Sequence, residues 1–479
     1  MASALSHVCA FTRGTASLPR IATDPRSITF LHEPSAFYAS LLSSIDRATR
    51  RIVLMSLYLG TGDHERALVD RLDAALGRHA SLDVHVVLDY HRGSRSGEGG
   101  ASSIGLLGPL QQRHGARRVR VSLYHTPHLN GLAKQVLPRR FNEIPGLFHA
   151  KVYAMDDDVV VSGANLSDQY FVNRQDRYAV LAGVPRLAEY VGDLADTVGT
   201  FSYSLKGTST IEPPSIGAEP HNKTALFVER AQRAMGEFLT RQASKAGSTL
   251  EDSSSSSSSS TFVVPLVQDA SLGICLDEQV TTNVLSAAAS ADAAGDVHIA
   301  SAYFNMTRQY TDVMLDSASS PPPSGKRFHV LTASPEANGF FNSRGVSYWV
   351  PSGYTFLERS FLRRVADRRL EGAIKVNEYV RPGWTFHGKG MWFYPTGGPL
   401  PVMTLVGSPN FGQRSVHRDF ETQLLIVTTD KDLQQRMDAE RANLFKGAKP
   451  QTYASLVADP ARRLKWWVPG VASIIQPFF

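Results

Sequence analysis

His149-Ala-Lys-Val-Tyr-Ala-Met-Asp156 and His387-Gly-Lys-Gly-Met-Trp-Phe-Tyr394 are the stretches whose reading decides the fold. Each sets a histidine and a lysine two positions apart at the head of an apolar run. Side chains two apart on a β-strand face the same side, so His149 projects with Lys151 and His387 with Lys389. Each run then turns into a second apolar strand, Val159-Val-Val-Ser162 or Met403-Thr-Leu-Val406. These close on Gly163-Ala-Asn165 and Gly407-Ser-Pro-Asn410. A His-x-Lys by itself says little, because His221-Asn-Lys223 has the same spacing and none of this sequel. The information lies in the repeated context.

Working outward, the same order of elements precedes each motif. Arg51-Ile-Val-Leu-Met-Ser56-Leu-Tyr58 reads as a buried strand followed by a helix pattern from Asp63 to Leu76. Val297-His-Ile-Ala-Ser301-Ala-Tyr303 reads as its counterpart, with a helix pattern near Tyr310 to Leu315. Val84 to Leu88 then matches Phe328 to Leu331, and Val119 to Tyr124 matches Ala373 to Tyr379. Strands alternating with helices make an α/β fold, and the repetition predicts two similar halves with one site at their interface.

The unbroken serine run Ser253 to Ser260 cannot bury apolar surface and reads as a flexible seam. Before it, Lys223 to Lys245 predicts a helix with Leu226, Phe227, Ala231, Met235, Phe238 and Leu239 on one face. The expected organisation is a segment 1–27, a first half 28–205, a linker helix and serine loop 206–261, and a second half 262–479. Residues 1–27 carry Arg13 and Arg20, several Ser and Thr, and no acid before Asp24, the composition of a mitochondrial transit segment.

A formal net charge of +6 suits phosphates or an anionic surface without choosing between them. Cys9 and Cys275 stand far apart with no His or Cys at ligand spacing, so neither a disulfide framework nor a zinc site is expected. No apolar run is long enough for a transmembrane helix. The C-terminal stretch with Lys465, Trp466, Trp467, Ile474, Ile475, Phe478 and Phe479, broken by Pro469, Gly470 and Pro477, suits an interfacial anchor or a packed terminus.

The chemistry follows from residue types. Asn165 and Asn410 can donate to phosphate oxygens, and the small residues beside them would let backbone approach a ligand. Eleven residues beyond each asparagine stands an acid, Asp176 or Glu421, suited to accept from an imidazole and fix its tautomer. Arg92, Arg95, Arg174, Arg177, Arg414 and Arg418 lie near predicted strand ends or motif loops and can make bidentate phosphate contacts.

The paired elements His149-x-Lys151 with Asp156 and Asn165, and His387-x-Lys389 with Gly407-Ser408-x-Asn410, resemble the phospholipase D superfamily. The wording of Ser56-Leu-Tyr-Leu-Gly-Thr-Gly62, His125-Thr-Pro-His128, Asn173-Arg-Gln-Asp-Arg-Tyr178, Gly383-Trp-Thr-Phe-His387 and Arg414-Ser-Val-His-Arg418 is similar to that superfamily's eukaryotic phosphatidylglycerophosphate synthases. The resemblance covers most of the chain from about Thr29 onward. It departs at Tyr394, where an acid is usual, and at Ser162-Gly163, where the order is reversed.

The resemblance implies transfer of the phosphatidyl group of CDP-diacylglycerol to glycerol 3-phosphate, releasing CMP. It implies His149 as nucleophile and His387 as acid/base, roles that sequence leaves interchangeable. Lys151, Lys389, Asn165 and Asn410 would neutralise charge at phosphorus, and Ser408 would assist substrate binding; Asp156 belongs to the motif, but with Tyr394 in the matching place it reads as a structural partner of its own loop rather than a member of the proton relay. No metal or cofactor is required on this reading, and the effect of divalent ions stays open. The implied setting is the mitochondrial inner membrane, peripherally attached to an anionic surface.

Two other readings compete: a phospholipase or nuclease using water, and an inactive membrane scaffold suggested by Tyr394. Aromatic and basic residues do not interleave into a stacking platform, which disfavours nucleic acid.

Overall fold

A computed structural model describes residues 4–15, 18–96, 100–129, 145–251, 259–288, 295–319, 327–344 and 348–475. Most of the serine run, and Phe478 and Phe479, lie outside the described residues. Five layers alternate: helices, sheet, helices, sheet, helices.

The first sheet runs, in spatial order, through 210–212, 203–206, 119–124, 83–89, 51–55, 152–155, 158–162, 178–181 and 28–31. The second runs through 449–451, 374–379, 328–333, 295–301, 389–395, 403–407, 421–428, 261–269 and 21–22. From 119–124 to 28–31 the order is that from 374–379 to 261–269, strand for strand, with the first three parallel and the rest antiparallel. The matched segments of the sequence therefore occupy matched places, and the halves are two copies of one unit.

The near-continuous apolar strands follow from the layering, since each sheet is covered on both faces. Phe37, Leu41, Leu68, Leu72 and Leu107 cover the outer face of the first sheet. Val280, Val284, Met314, Phe361 and Val365 cover that of the second. The shared middle layer consists of helices Pro185–Thr200, Thr224–Glu251 and Lys431–Phe445. In the long one Phe227, Ala231, Met235 and Phe238 are fully buried, the stripe a 3.6-residue period predicts. Burial of one apolar layer between the sheets holds the halves together.

The N-terminal residues are built into the second half. Helix Ala4–Phe11 buries Val8 and Phe11, whose ring lies 5.2 Å from that of Phe393, and Ile21–Ala22 pairs with Phe262–Val263. Chain on both sides of residue 27 thus serves different halves, because Ile28–Leu31 edges the first sheet.

Candidate active site

The motif strands 152–155 and 389–395 sit at the centres of their sheets, so His149 and His387 emerge at the same edge of the sandwich, where the halves meet. Backbone pairing there crosses between halves. The His387 N–H donates to the Gln175 carbonyl, and Thr385–Phe386 pairs in parallel with Arg174–Gln175. Symmetrically, the His149 N–H donates to the Phe420 carbonyl and the Phe420 N–H to that of Leu147.

Each histidine is thereby laid against the acid of the opposite half. The His149 Nδ1 lies 2.9 Å from Glu421 Oε2, and the His387 Nδ1 lies 2.7 Å from Asp176 Oδ2. A carboxylate can only accept, so each ring donates from Nδ1 and presents Nε2 to the cleft. The Lys151 Nζ donates to the His149 carbonyl at 2.7 Å and the Lys389 Nζ to the His387 carbonyl at 2.6 Å, placing both ammonium groups against the motif backbone.

Burial sets the protonation. Both imidazoles are pushed well below the ordinary 6.5 by desolvation, reinforced by Lys151 at His149 and Lys389 at His387. Desolvation also lowers Lys151 to about 7 and Lys389 to about 8, and raises Asp176 to about 6 and Glu421 to about 7. The result is a pair of neutral, nucleophilic imidazoles among buried cations, the arrangement a phosphoryl group needs.

The remaining candidates divide. Asn165 and Asn410 are buried at the site, and each leaves its Oδ1 without a partner; Asn165 Nδ2 donates to the Tyr170 hydroxyl at 3.1 Å. Arg174 stacks over Tyr170 and donates to Thr385 Oγ1, beside His387. Arg414 is held by Asp419 at 2.9 Å and bears on His149. Arg418 reaches the Pro145 carbonyl in the loop leading to His149, Arg92 lies over the Tyr58 ring, and Arg95 is exposed at the C-terminus of helix Tyr90–Ser94.

Two substrate-binding candidates, Arg177 and Ser408, are corrected, and Asp156 leaves the catalytic set for the structural role in its own loop. Asp156 sits in a tight turn at φ 51°, at the far end of its strand, and accepts from the N–H groups of Thr49, Arg50 and Arg51. It is a turn anchor with no contact to the histidines, so the acid missing at Tyr394 takes nothing from the relay. Arg177 is fully buried, forked onto Glu440 at 2.8 and 2.9 Å and stacked on Trp392, where it welds the halves and cannot meet substrate. Ser408 Oγ is committed to the Thr422 backbone on both its donor and acceptor sides. The motif glycines also have another cause: a Cβ on Gly163 would lie 2.6 Å from Asp176 Oδ1, and one on Gly407 2.4 Å from the Thr422 carbonyl oxygen.

Sequence reading missed Tyr170, Tyr303 and Asp419. The Tyr170 hydroxyl lies 3.3 Å from His387 Nε2, and the Tyr303 ring stands edge-on to that imidazole at 6.0 Å. Asp419 accepts from the Leu147 N–H at 2.8 Å and so fixes the His149 loop. Tyr303 ends the strand matched to Tyr58, a signal that could have found it.

Among the described residues His149, Asp419 and Glu421 bring possible metal-ligand atoms within 4.8 Å of one another. Glu421 is already engaged by the imidazole, and Asp419 by Arg414 and a backbone amide. That donor set fits a proton-holding relay.

Two α/β halves of one strand order, each supplying a His-x-Lys and lending an acid to the other's histidine, define a duplicated α/β protein with one composite site where its halves meet. The fold is similar to that of phosphatidylserine synthase from Haemophilus influenzae Rd KW20, with a TM-score of 0.72 over 98% of this chain and 99% of that one, at 19% identity. No family model matches the chain. Its sequence is 38% identical to the mitochondrial CDP-diacylglycerol–glycerol-3-phosphate 3-phosphatidyltransferases of Mus musculus and Homo sapiens, over 96% of this chain and 85% and 84% of theirs. It is 33% identical to the Saccharomyces cerevisiae enzyme of that name, over 94% and 88%. The chain belongs to the CDP-diacylglycerol–glycerol-3-phosphate 3-phosphatidyltransferase family.

Proposed function

We propose that the chain transfers the phosphatidyl group of CDP-diacylglycerol to glycerol 3-phosphate through a phosphatidyl-histidine. The observation that carries this reading is the crossed pair of imidazole–carboxylate contacts, His149–Glu421 and His387–Asp176.

In the first step the lone pair of His149 Nε2 attacks the phosphorus attached to diacylglycerol. A P–N bond forms, the P–O bond to CMP breaks, and the electrons leave on the CMP phosphate. Glu421 stabilises the positive charge left on the imidazole. CMP is a stable anion, so this step needs little acid assistance. In the second step His387 Nε2 takes the proton of a glycerol 3-phosphate hydroxyl, the oxygen attacks phosphorus, and the P–N bond returns its electrons to His149. Lys151, Lys389, Asn165 and Asn410 hold the phosphoryl oxygens throughout.

One asymmetry supports this division of roles. The Tyr170 hydroxyl, held by the Asn165 amide, already approaches His387 Nε2, and Asp176 holds Nδ1, an arrangement that orients this imidazole to take a proton. The setting we infer is the mitochondrial inner membrane, bound peripherally. Among the described residues no helix is long and apolar enough to cross a membrane, and relatives from mouse and human are named mitochondrial.

The test is isotope exchange. Labelled CMP should enter CDP-diacylglycerol without acceptor, and His149→Ala should abolish it. An active protein that shows no exchange would transfer directly between substrates, and one that releases CMP regardless of glycerol 3-phosphate would be a hydrolase.

A further inference from the structure

Seven large apolar side chains are exposed among the described residues: Val172, Phe340, Phe341, Tyr348, Val457, Trp466 and Val471. All but Val172, which belongs to helix Asp168–Val172 of the first half, fall in two stretches of the second half. Phe340, Phe341 and Tyr348 lie in the segment leading into helix Val350–Asp367, while Trp466 and Val471 belong to the C-terminal segment. The two segments are joined by the rings of Trp349 and Trp467, 4.8 Å apart, and by the Lys465 ammonium over Trp349 at 5.1 Å. Helices Tyr453–Ala458, which carries Val457, and Val468–Ile475 both pack on helix Val350–Asp367.

This patch borders the reaction centre. The Phe340 ring lies 6.0 Å from that of Tyr303, which stands 6.0 Å from His387 and stacks on Tyr354 at 5.0 Å. The Phe386 N–H, one residue before His387, donates to the Ala337 carbonyl at 2.8 Å. Phe340 is thus one ring away from the His387 imidazole.

Its charge selects the occupant. Residues 339–350 hold Arg344 and no acid, and residues 461–475 hold Arg462, Arg463 and Lys465 and no acid. Arg462 is spent on buried Glu378, but Arg463 and Lys465 stand exposed beside Trp466, which is 90% exposed. Trp and Tyr rimmed by Arg and Lys are the side chains that settle at the headgroup level of a bilayer, where the ring is half in hydrocarbon and the cations meet lipid phosphates.

We propose that residues 340–344, 348–349 and 463–471 form one docking lip whose occupant is an anionic lipid bilayer surface. This rests on the lipid-substrate reading above and deepens it. The lip sets the cleft at headgroup depth, so the acyl chains of the substrate stay in the bilayer on the Phe340 side while its phosphates pass Tyr303 to the histidines. The C-terminal stretch is then half of the anchor, and the loop before helix Val350–Asp367 is the other half.

The experiment uses the full chain and two variants, Phe341→Ser/Tyr348→Ser/Trp466→Ala and Arg463→Glu/Lys465→Glu. Binding is measured by co-sedimentation with vesicles of neutral phosphatidylcholine and with vesicles containing about one-third anionic phospholipid. Activity is measured on long-chain CDP-diacylglycerol in those vesicles and on a short-chain, dispersed form. The aromatic variant should lose at least tenfold in vesicle binding and vesicle activity while keeping its rate on dispersed substrate. The charge variant should lose the preference for anionic vesicles. Trp466→Phe should remove much of the fluorescence blue shift on binding. Unchanged vesicle binding by the aromatic variant overturns the proposal. So does a wild type that self-associates through the patch, with the variant becoming monomeric and still binding vesicles. A wild type that binds through the patch but makes no product from either substrate leaves the lip standing and sinks the catalytic reading instead.

Discussion

The His149 corner and the His387 corner are built from the same parts, strand order, His-x-Lys and a borrowed acid, yet their surroundings differ. At His387 the Lys389 Nζ comes within 2.6 Å of the ring Nδ1, Tyr170 approaches Nε2, and Tyr303 and Arg174 wall the imidazole. At His149 the neighbours are charged groups held by one another, Asp419 with Arg414, and the contact made by the ring itself is to Glu421. A histidine whose Nε2 must reach phosphorus gains from an uncrowded ring, and one that shuttles a proton gains from a hydrogen-bonded chain. The two corners repeat one plan, and the side chains packed around them differ in a way that favours unequal roles.

The sharpest way to break that comparison is to remove each imidazole. His149→Ala should cost at least about 10³-fold in both CMP exchange and net transfer. His387→Ala should cost roughly 10²- to 10⁴-fold in transfer while exchange falls less. Equal loss of both activities in both variants would falsify the division of roles.

Neutralising the acids is the next largest change. Glu421→Gln and Asp176→Asn keep the shape but remove the charge that orients and supports each ring, and should cost about 10- to 100-fold. Glu421→Gln should depress exchange, Asp176→Asn mainly transfer to acceptor; steady-state rates for both reactions distinguish them. A reversal of that pattern would assign the nucleophile to His387.

A pH profile sharpens the picture from another side. Burial lowers Lys389 to about 8 and Lys151 to about 7, so raising the pH strips the ammonium charges that hold phosphate. KM for CDP-diacylglycerol should therefore climb severalfold between pH 7 and 9. The imidazoles, pushed well below 6.5, stay neutral on the acid side, but Glu421 at about 7 and Asp176 at about 6 take up protons there and lose the charge that supports each ring, so kcat should fall as the pH drops from 7 to below 6. A flat KM through pH 9 would show that bound substrate keeps both lysines charged.

Smaller still is Tyr170→Phe, which deletes one hydroxyl at His387 Nε2. A hydrogen bond of about 1 kcal/mol predicts roughly fivefold slower transfer and unchanged exchange. Asp156→Ala should leave kcat alone and reduce unfolding stability by about 1 to 3 kcal/mol, because three backbone N–H groups lose their acceptor.

Much of the site was readable along the chain because it is written twice. The spacing from His to Lys, the asparagines and the following acids recur in one order, and periodicity placed the central strands that carry them. The acids were found, but their partners were not: a spacing of eleven residues suggests nothing about which histidine each carboxylate meets. The final partners of Arg177 and Asp156 were hidden for the same reason. One stands in a motif loop and the other in the motif itself, and burial against Glu440 or a turn at Thr49 to Arg51 is invisible in one dimension.

Local rules of strand and helix thus determined that this chain makes two α/β units and which residues of each gather at one sheet edge. The tertiary structure alone decided that the units pair face to face through a common helical layer, that each histidine takes the other half's acid, and that two aromatic segments far apart in sequence meet beside the cleft. The physical reason is that alternation and helical period are properties of neighbouring residues. Which acid desolvates beside which imidazole depends instead on packing between surfaces brought together only when the halves close.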